Sequence, residues 1–210
     1  MTTLEKLKKY SLLAILLVAF VGISCDDDDP EEEEEVEVIT NVVLVFTNNA
    51  NAQDVVRARA EDPDGEGATP LQVLDPIGLT SGVTYTLTYE ITNALDPADV
   101  EDIAEEILEE DDEHQLFFSF TDGAFTSPMG NGNIDNAADP INYNDQDDNQ
   151  NPVGLNTTWT AGAALTGGNF TVRLQHQPDI KSATTGANDG DTDFNLPFVL
   201  NITAAPVASN

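Results

Sequence analysis

Basic side chains are nearly missing from this chain: seven lysines and arginines stand against 39 acids in 210 residues, a net charge of −32. Nothing in it can neutralise a phosphate backbone, so nucleic acid is excluded as a partner. Cysteine occurs once, which rules out an internal disulfide and a thiolate metal cluster. Histidine occurs twice, so any imidazole chemistry must use His114 or His176. There is no Gly-x-Ser-x-Gly elbow, His-Glu-x-x-His pair or phosphate-cradling glycine loop. Acids that would serve as a glycosidase couple are abundant but unpatterned. The expectation is therefore a protein that is not an enzyme.

Long apolar runs are also scarce. One, from Leu12 to Val21, follows Lys6, Lys8 and Lys9 and precedes Gly22-Ile23-Ser24-Cys25. It is too short for a comfortable membrane span. A basic start, a short greasy stretch and small residues before a cut point describe an export signal. The single cysteine stands where a lipoprotein signal places its lipid acceptor. Residues 1–24 thus resemble a bacterial lipoprotein signal, cut before Cys25, which becomes the acylated N-terminus. The plain alternative, an uncleaved anchor, leaves the placement of the lone cysteine unexplained. Cleavage leaves four basic residues, Arg57, Arg59, Arg173 and Lys181, against 38 acids, a net charge of −34. An anionic lipid surface repels such a chain, so the lipid on Cys25 must hold it to the membrane.

Residues 25–37 read as a tether. Asp26 to Asp29, Pro30 and Glu31 to Glu35 cannot bury anything and stay solvated. Acids directly behind the lipidated cysteine resemble the export signal of surface-exposed lipoproteins in some Gram-negative bacteria. In others, an Asp in second position retains the protein at the inner membrane. The whole acidic run favours the outer membrane, with the domain on its outer face.

Residues 38–205 read as a single domain of β pattern. Val42 to Phe46 and Val55 to Ala60 suit strands. From Val83 to Thr92, Val83, Tyr85, Leu87, Tyr89 and Ile91 alternate with polar residues, so one face is buried and one wet. Asp96-Pro97 suits the start of a helix whose apolar stripe is Val100, Ile103, Ala104, Ile107 and Leu108. Glu109 to Glu113 puts five negative charges at its end, where the helix dipole is itself negative. That end must be solvated or have a cation beside it. Leu116, Phe118 and Phe120 then alternate, an Asn-, Asp- and Gly-rich stretch runs from Asp122 to Asn151, and strands follow near 155–160, 170–176 and 194–203. About eight short strands and one short acidic helix predict an antiparallel, Ig-like β-sandwich.

His176 shares the phase of Phe170, Val172 and Leu174, and His114 that of Leu116, Phe118 and Phe120. Both are expected on the inner face near strand ends. Should they meet, two imidazoles with Glu110, Asp111 or Glu113 form the mixed nitrogen and oxygen set that zinc, copper or iron accepts. Haem ligation by both is the weaker variant, because no wide apolar slot is evident. The bland alternative is a pair of hydrogen-bonded, semi-buried histidines. Asp145, Asp147 and Asn149 begin like a calcium loop, but Gln150 and Asn156 stand where its glycine and glutamate belong. Asp62, Asp64 and Glu66, and Asp189, Asp191 and Asp193, repeat the spacing. Acidic turns are common in so negative a chain, so each triplet is equally a solvated turn.

Several pieces carry a resemblance. Val100 to Ile107, Glu110 to Gln115 with Phe117-Phe118, Asp145 to Gly154, Leu174 to Pro178 with Lys181, and Gly190 to Phe194 resemble small predicted bacterial lipoproteins labelled type 1 periplasmic-binding-fold superfamily. The label implies an α/β solute-binding protein, whereas one helix among many alternating strands cannot build a doubly wound sheet. The resemblance implies no particular activity. Two functions are expected: a lipoprotein that captures a metal or small ligand and passes it to an outer-membrane transporter, or a calcium-stiffened adhesive sandwich that binds another macromolecule. Adjacency of His114 and His176, with a carboxylate in reach, favours the first.

Overall fold

The alternating sequences pair into two sheets. In the computed structural model, residues 38–206 are described, apart from 63 and 66–69. Cys25, the signal, the tether and Glu66 lie outside the described residues. The first sheet contains β1 (Asn41–Asn48), β2 (Val55–Glu61), β3 (Gln72–Val73), β5 (Thr84–Asn93), β8 (Phe125–Ser127) and β9 (Thr157–Ala161), in the order β3-β2-β1-β5-β9-β8. A two-residue strand, β6 (Glu101–Asp102), adds to the end of β5. The second sheet is β4-β11-β10-β7, with β4 at Ile77–Thr80, β7 at His114–Phe120, β10 at Leu165–His176 and β11 at Asp191–Thr203. The fold is mainly β and sandwich-like, as expected, and not the α/β fold of the superfamily label. The pairing of β4 with β11 is parallel, a departure from a purely antiparallel sandwich. Among the described residues no helix is long and apolar enough to cross a membrane.

The period of two puts Val42, Leu44 and Phe46 of β1 and Tyr85, Leu87 and Ile91 of β5 against Phe170, Val172 and Leu174 of β10 and the apolar half of β11. Trp159 sits at the centre, with Phe118, Phe120, Phe125 and Phe170 at centroid distances of 4.9–5.4 Å. Mostly edge-on and tilted, these rings add quadrupole attraction to their area burial. The indole N–H donates to Thr157 Oγ1 at 2.7 Å, so the largest core side chain buries no unsatisfied donor.

The helix, α1, is shorter than expected and spans Ile103–Glu109. Asp96 instead closes a turn, its carboxylate accepting from Ala98 N at 2.9 Å. Asp102 is the helix cap and accepts from Glu105 N. Glu101 and Asp102 are claimed by the edge of β5, so the helix starts only after them. Ile103 and Ile107 are buried, while Val100 and Leu108 are exposed.

The Asn- and Asp-rich stretch is an ordered layer over the free edge of β7. Leu116 N donates to Val153 O, Phe118 N to the Asn133 side chain, and Phe120 N to Asn131 O, at 2.7–2.9 Å. An open edge strand is thereby capped. Gly132 lies so close that a Cβ there would stand 2.1 Å from Phe118 O. Only glycine fits that approach.

Candidate functional site

His114 opens β7 and His176 closes β10, and the antiparallel register places them directly opposite. Their rings stack at 4.6 Å with planes 7° apart. His114 is 1% exposed and the His176 side chain 21%, so the pair runs from the core to the rim. Alternation placed both histidines on the inner phase near strand ends; that they meet follows only from the pairing of β7 with β10.

Each carboxylate candidate reaches the pair differently. The Glu110 carbonyl, at the C-cap of α1, accepts from His114 Nδ1–H at 3.3 Å. Its carboxylate is 4.0 Å from the same nitrogen. Glu113 Oε2 lies 3.2 Å from His176 Nε2. Asp111 is engaged elsewhere, its carbonyl accepting from Lys181 Nζ. Burial pushes the His114 imidazole down to about 4, helped by the neighbouring His176, so His114 is neutral at physiological pH. With Nδ1 donating to a carbonyl, the ring lone pair is on Nε2.

A third acid joins this end. The ladder slips between the pairs Leu174–Phe194 and Gln175–Thr192, leaving Asp193 as the extra residue of a bulge. Burial pushes its carboxyl up to about 6, against the attraction of His176. Its Oδ2 is buried without a hydrogen-bond partner. Asp191 lies opposite His176 in the ladder. The chain can enter β11 only through glycine: Gly190 has φ +79°, and a Cβ there would stand 2.1 Å from His176 O.

The stacked geometry limits the chemistry. Imidazole lone pairs lie in the ring plane, so those of two parallel stacked rings do not converge on one ion, nor do they face each other across a haem. Among the described residues no three His, Cys, Asp or Glu side chains are grouped closely enough to hold an ion. The donor pair that does converge is His176 Nε2 and Glu113 Oε2.

The calcium-like triplets are occupied from within. Asp145 Oδ1 accepts from Gly154 N and Oδ2 from Asn156 N, both at 2.9 Å. Asp147 Oδ1 accepts from Asn151 N at 2.8 Å, and Oδ2 from Asn151 Nδ2 at 3.2 Å. Asn149 is exposed and does not join them. The cation beside Asp147 is Lys181 Nζ, at 3.2 Å, with the two side chains 0% and 1% exposed. Burial alone would raise the Asp147 carboxyl, but its donors hold it below the usual carboxylate value. Burial also lowers Lys181. The same ammonium bonds the Asp111 carbonyl, so it is the positive charge that the acidic helix end called for. In the other triplets, Asp62 is buried and accepts from Asp64 N, and the Asp189 carboxylate accepts from Gly186 N.

Sequence reasoning passed over Lys181 as a site residue. The available signal was scarcity: a domain with four basic residues and dozens of acids will commit one of those cations to its most buried carboxylate. Asn133, which holds Phe118 N and donates to the Tyr143 hydroxyl, carried no such signal. Comparison with family descriptions, with curated proteins and with solved structures gives no match.

Proposed function

We infer that this chain is a lipid-anchored, non-catalytic binding module of a Gram-negative outer membrane, which captures a divalent transition-metal ion for transfer to an outer-membrane transporter. The observation that carries the reading is the His176–Glu113 pair at the rim. Two ligands about 2.1 Å from one ion and about 100° apart are separated by about 3.2 Å, the spacing of Nε2 and Oε2 here. An ion would replace the shared proton with little movement of either side chain. Zinc, copper and iron all accept this nitrogen and oxygen set. Water fills the further positions. The stacked, neutral His114 braces the His176 ring. A net charge of −32 concentrates cations around the module.

The test is elemental analysis and calorimetry with zinc and copper on the full chain. One ion per chain, lost in His176→Ala and in Glu113→Gln, supports the reading. No stoichiometric ion, or binding indifferent to both changes, overturns it. Membrane attachment is read separately, by lipid labelling of the wild type against Cys25→Ser.

One observation favours a second reading, a stiff adhesive sandwich. Asp145 and Asp147 are satisfied by backbone, Asn151 and Lys181, which gives the long loop rigidity without an ion.

A further inference from the structure

On the outer face of β7, one residue beyond His114, the polar stretch and the β10–β11 connection leave a cleft of about 230 Å³ between them. Gln115 and Asn133 line it and are both buried. Pro140 and Tyr143 line it as well, with Asp139 and Ser182. The geometry is fixed from below. The Tyr143 hydroxyl donates to Leu116 O at 2.7 Å and accepts from Asn133 Nδ2 at 2.9 Å, which locks the ring. Asp139 Oδ1 accepts from Asn136 Nδ2 at 2.8 Å, fixing that carboxylate. These contacts give the cleft its shape without any ligand.

We propose that this cleft is a second binding site, for one neutral sugar ring. Size is the first argument: pockets for drug-sized ligands run from about 300 to 1,000 Å³, so 230 Å³ admits a single small ring and little more. Charge is the second. The Asp139 carboxylate and a chain at −32 repel anions. A bare cation would be met by oxygen acceptors alone, whereas this lining mixes the Gln115 and Asn133 amides and the Ser182 and Thr185 hydroxyls, groups that donate as well as accept, with a single carboxylate. Such a mixture suits a ligand whose every hydroxyl is both donor and acceptor. The third argument is the apolar component. Pro140, Ile141 and Tyr143 contribute carbon surface to the lining, against which the C–H groups of a ring can pack. The proposal is independent of the metal site, which lies on the other face of β7.

The experiment titrates the full chain with glucose, galactose, mannose and N-acetylglucosamine, using calorimetry and amide chemical shifts, with glucuronate as the anionic control. One neutral sugar binds with a Kd in or below the millimolar range. Ala183→Trp, on the exposed rim, fills the cleft without touching the core, and Asp139→Asn removes the carboxylate. Each raises Kd by roughly tenfold or more, while His176→Ala leaves it unchanged. Because His176→Ala removes the metal and not the sugar, the two readings fail separately. No shift with any neutral sugar at about 10 mM, equal affinity for glucuronate, or binding that survives Ala183→Trp overturns the proposal.

Discussion

Removing the Lys181 ammonium tests how the acidic half of the domain is held together. Lys181 and Asp147 are 3.2 Å apart with side chains 1% and 0% exposed. In Lys181→Ala the buried Asp147 charge loses its partner, and the Asp111 carbonyl loses its donor as well. Breaking a buried pair from one side costs about 3–5 kcal/mol. In a domain of this size each kcal/mol moves Tm by about 2–4 °C, so the expected fall is about 6–20 °C. Urea and thermal unfolding followed by circular dichroism at neutral pH measure it. Because Asp147 is held below the usual 3.8, its stabilisation is present above that pH and is lost as pH falls through its folded value. The deficit of Lys181→Ala should therefore shrink in strong acid. A double-mutant cycle with Asp147→Asn should return a coupling above about 1 kcal/mol. A loss below about 1 kcal/mol in Lys181→Ala, or simple additivity in the cycle, would refute the clamp.

Millimolar calcium should leave the Tm of the wild type unmoved, since Asp145 and Asp147 already have internal donors; a clear upward shift would count against that assignment. In metal-free protein, acidification should act oppositely on two groups. His114, lowered to about 4, withdraws stability as pH falls from about 6.5. Asp193, raised to about 6, returns it as pH falls through that value. Unfolding titrations should show Asp193→Asn losing stability in mild acid and His114→Gln gaining it, both relative to the wild type. Phe170→Ala, beside Trp159 and Phe46, should cost about 3–5 kcal/mol by denaturant titration. Gly190→Ala should lower Tm and shift the His176 amide resonances, since its Cβ would meet His176 O at 2.1 Å.

Alternation along the chain determines much of the fold. Tyr85, Leu87 and Ile91, or Phe170, Val172 and Leu174, can bury one side only as strands, so the sandwich and its inner faces were readable. The same phase argument turned His114 and His176 inward. Short elements were not readable, because β3, β4, β6 and β8 have too few residues for a period and exist only where a neighbouring strand offers its edge. The helix start moved for the same reason: Glu101 and Asp102 met β5 first.

What only the tertiary structure decided is which polar group each acid faces. Local spacing made Asp145 and Asp147 resemble calcium ligands, but the cation that reached Asp147 comes from Lys181, far along the chain. Register made the two histidines neighbours, and ring stacking then removed their joint use on one ion, leaving His176 with Glu113. Periodicity is a property of a segment and survives in the sequence. Partnership between side chains distant in sequence depends on how the sheets close, and no segment carries that information alone.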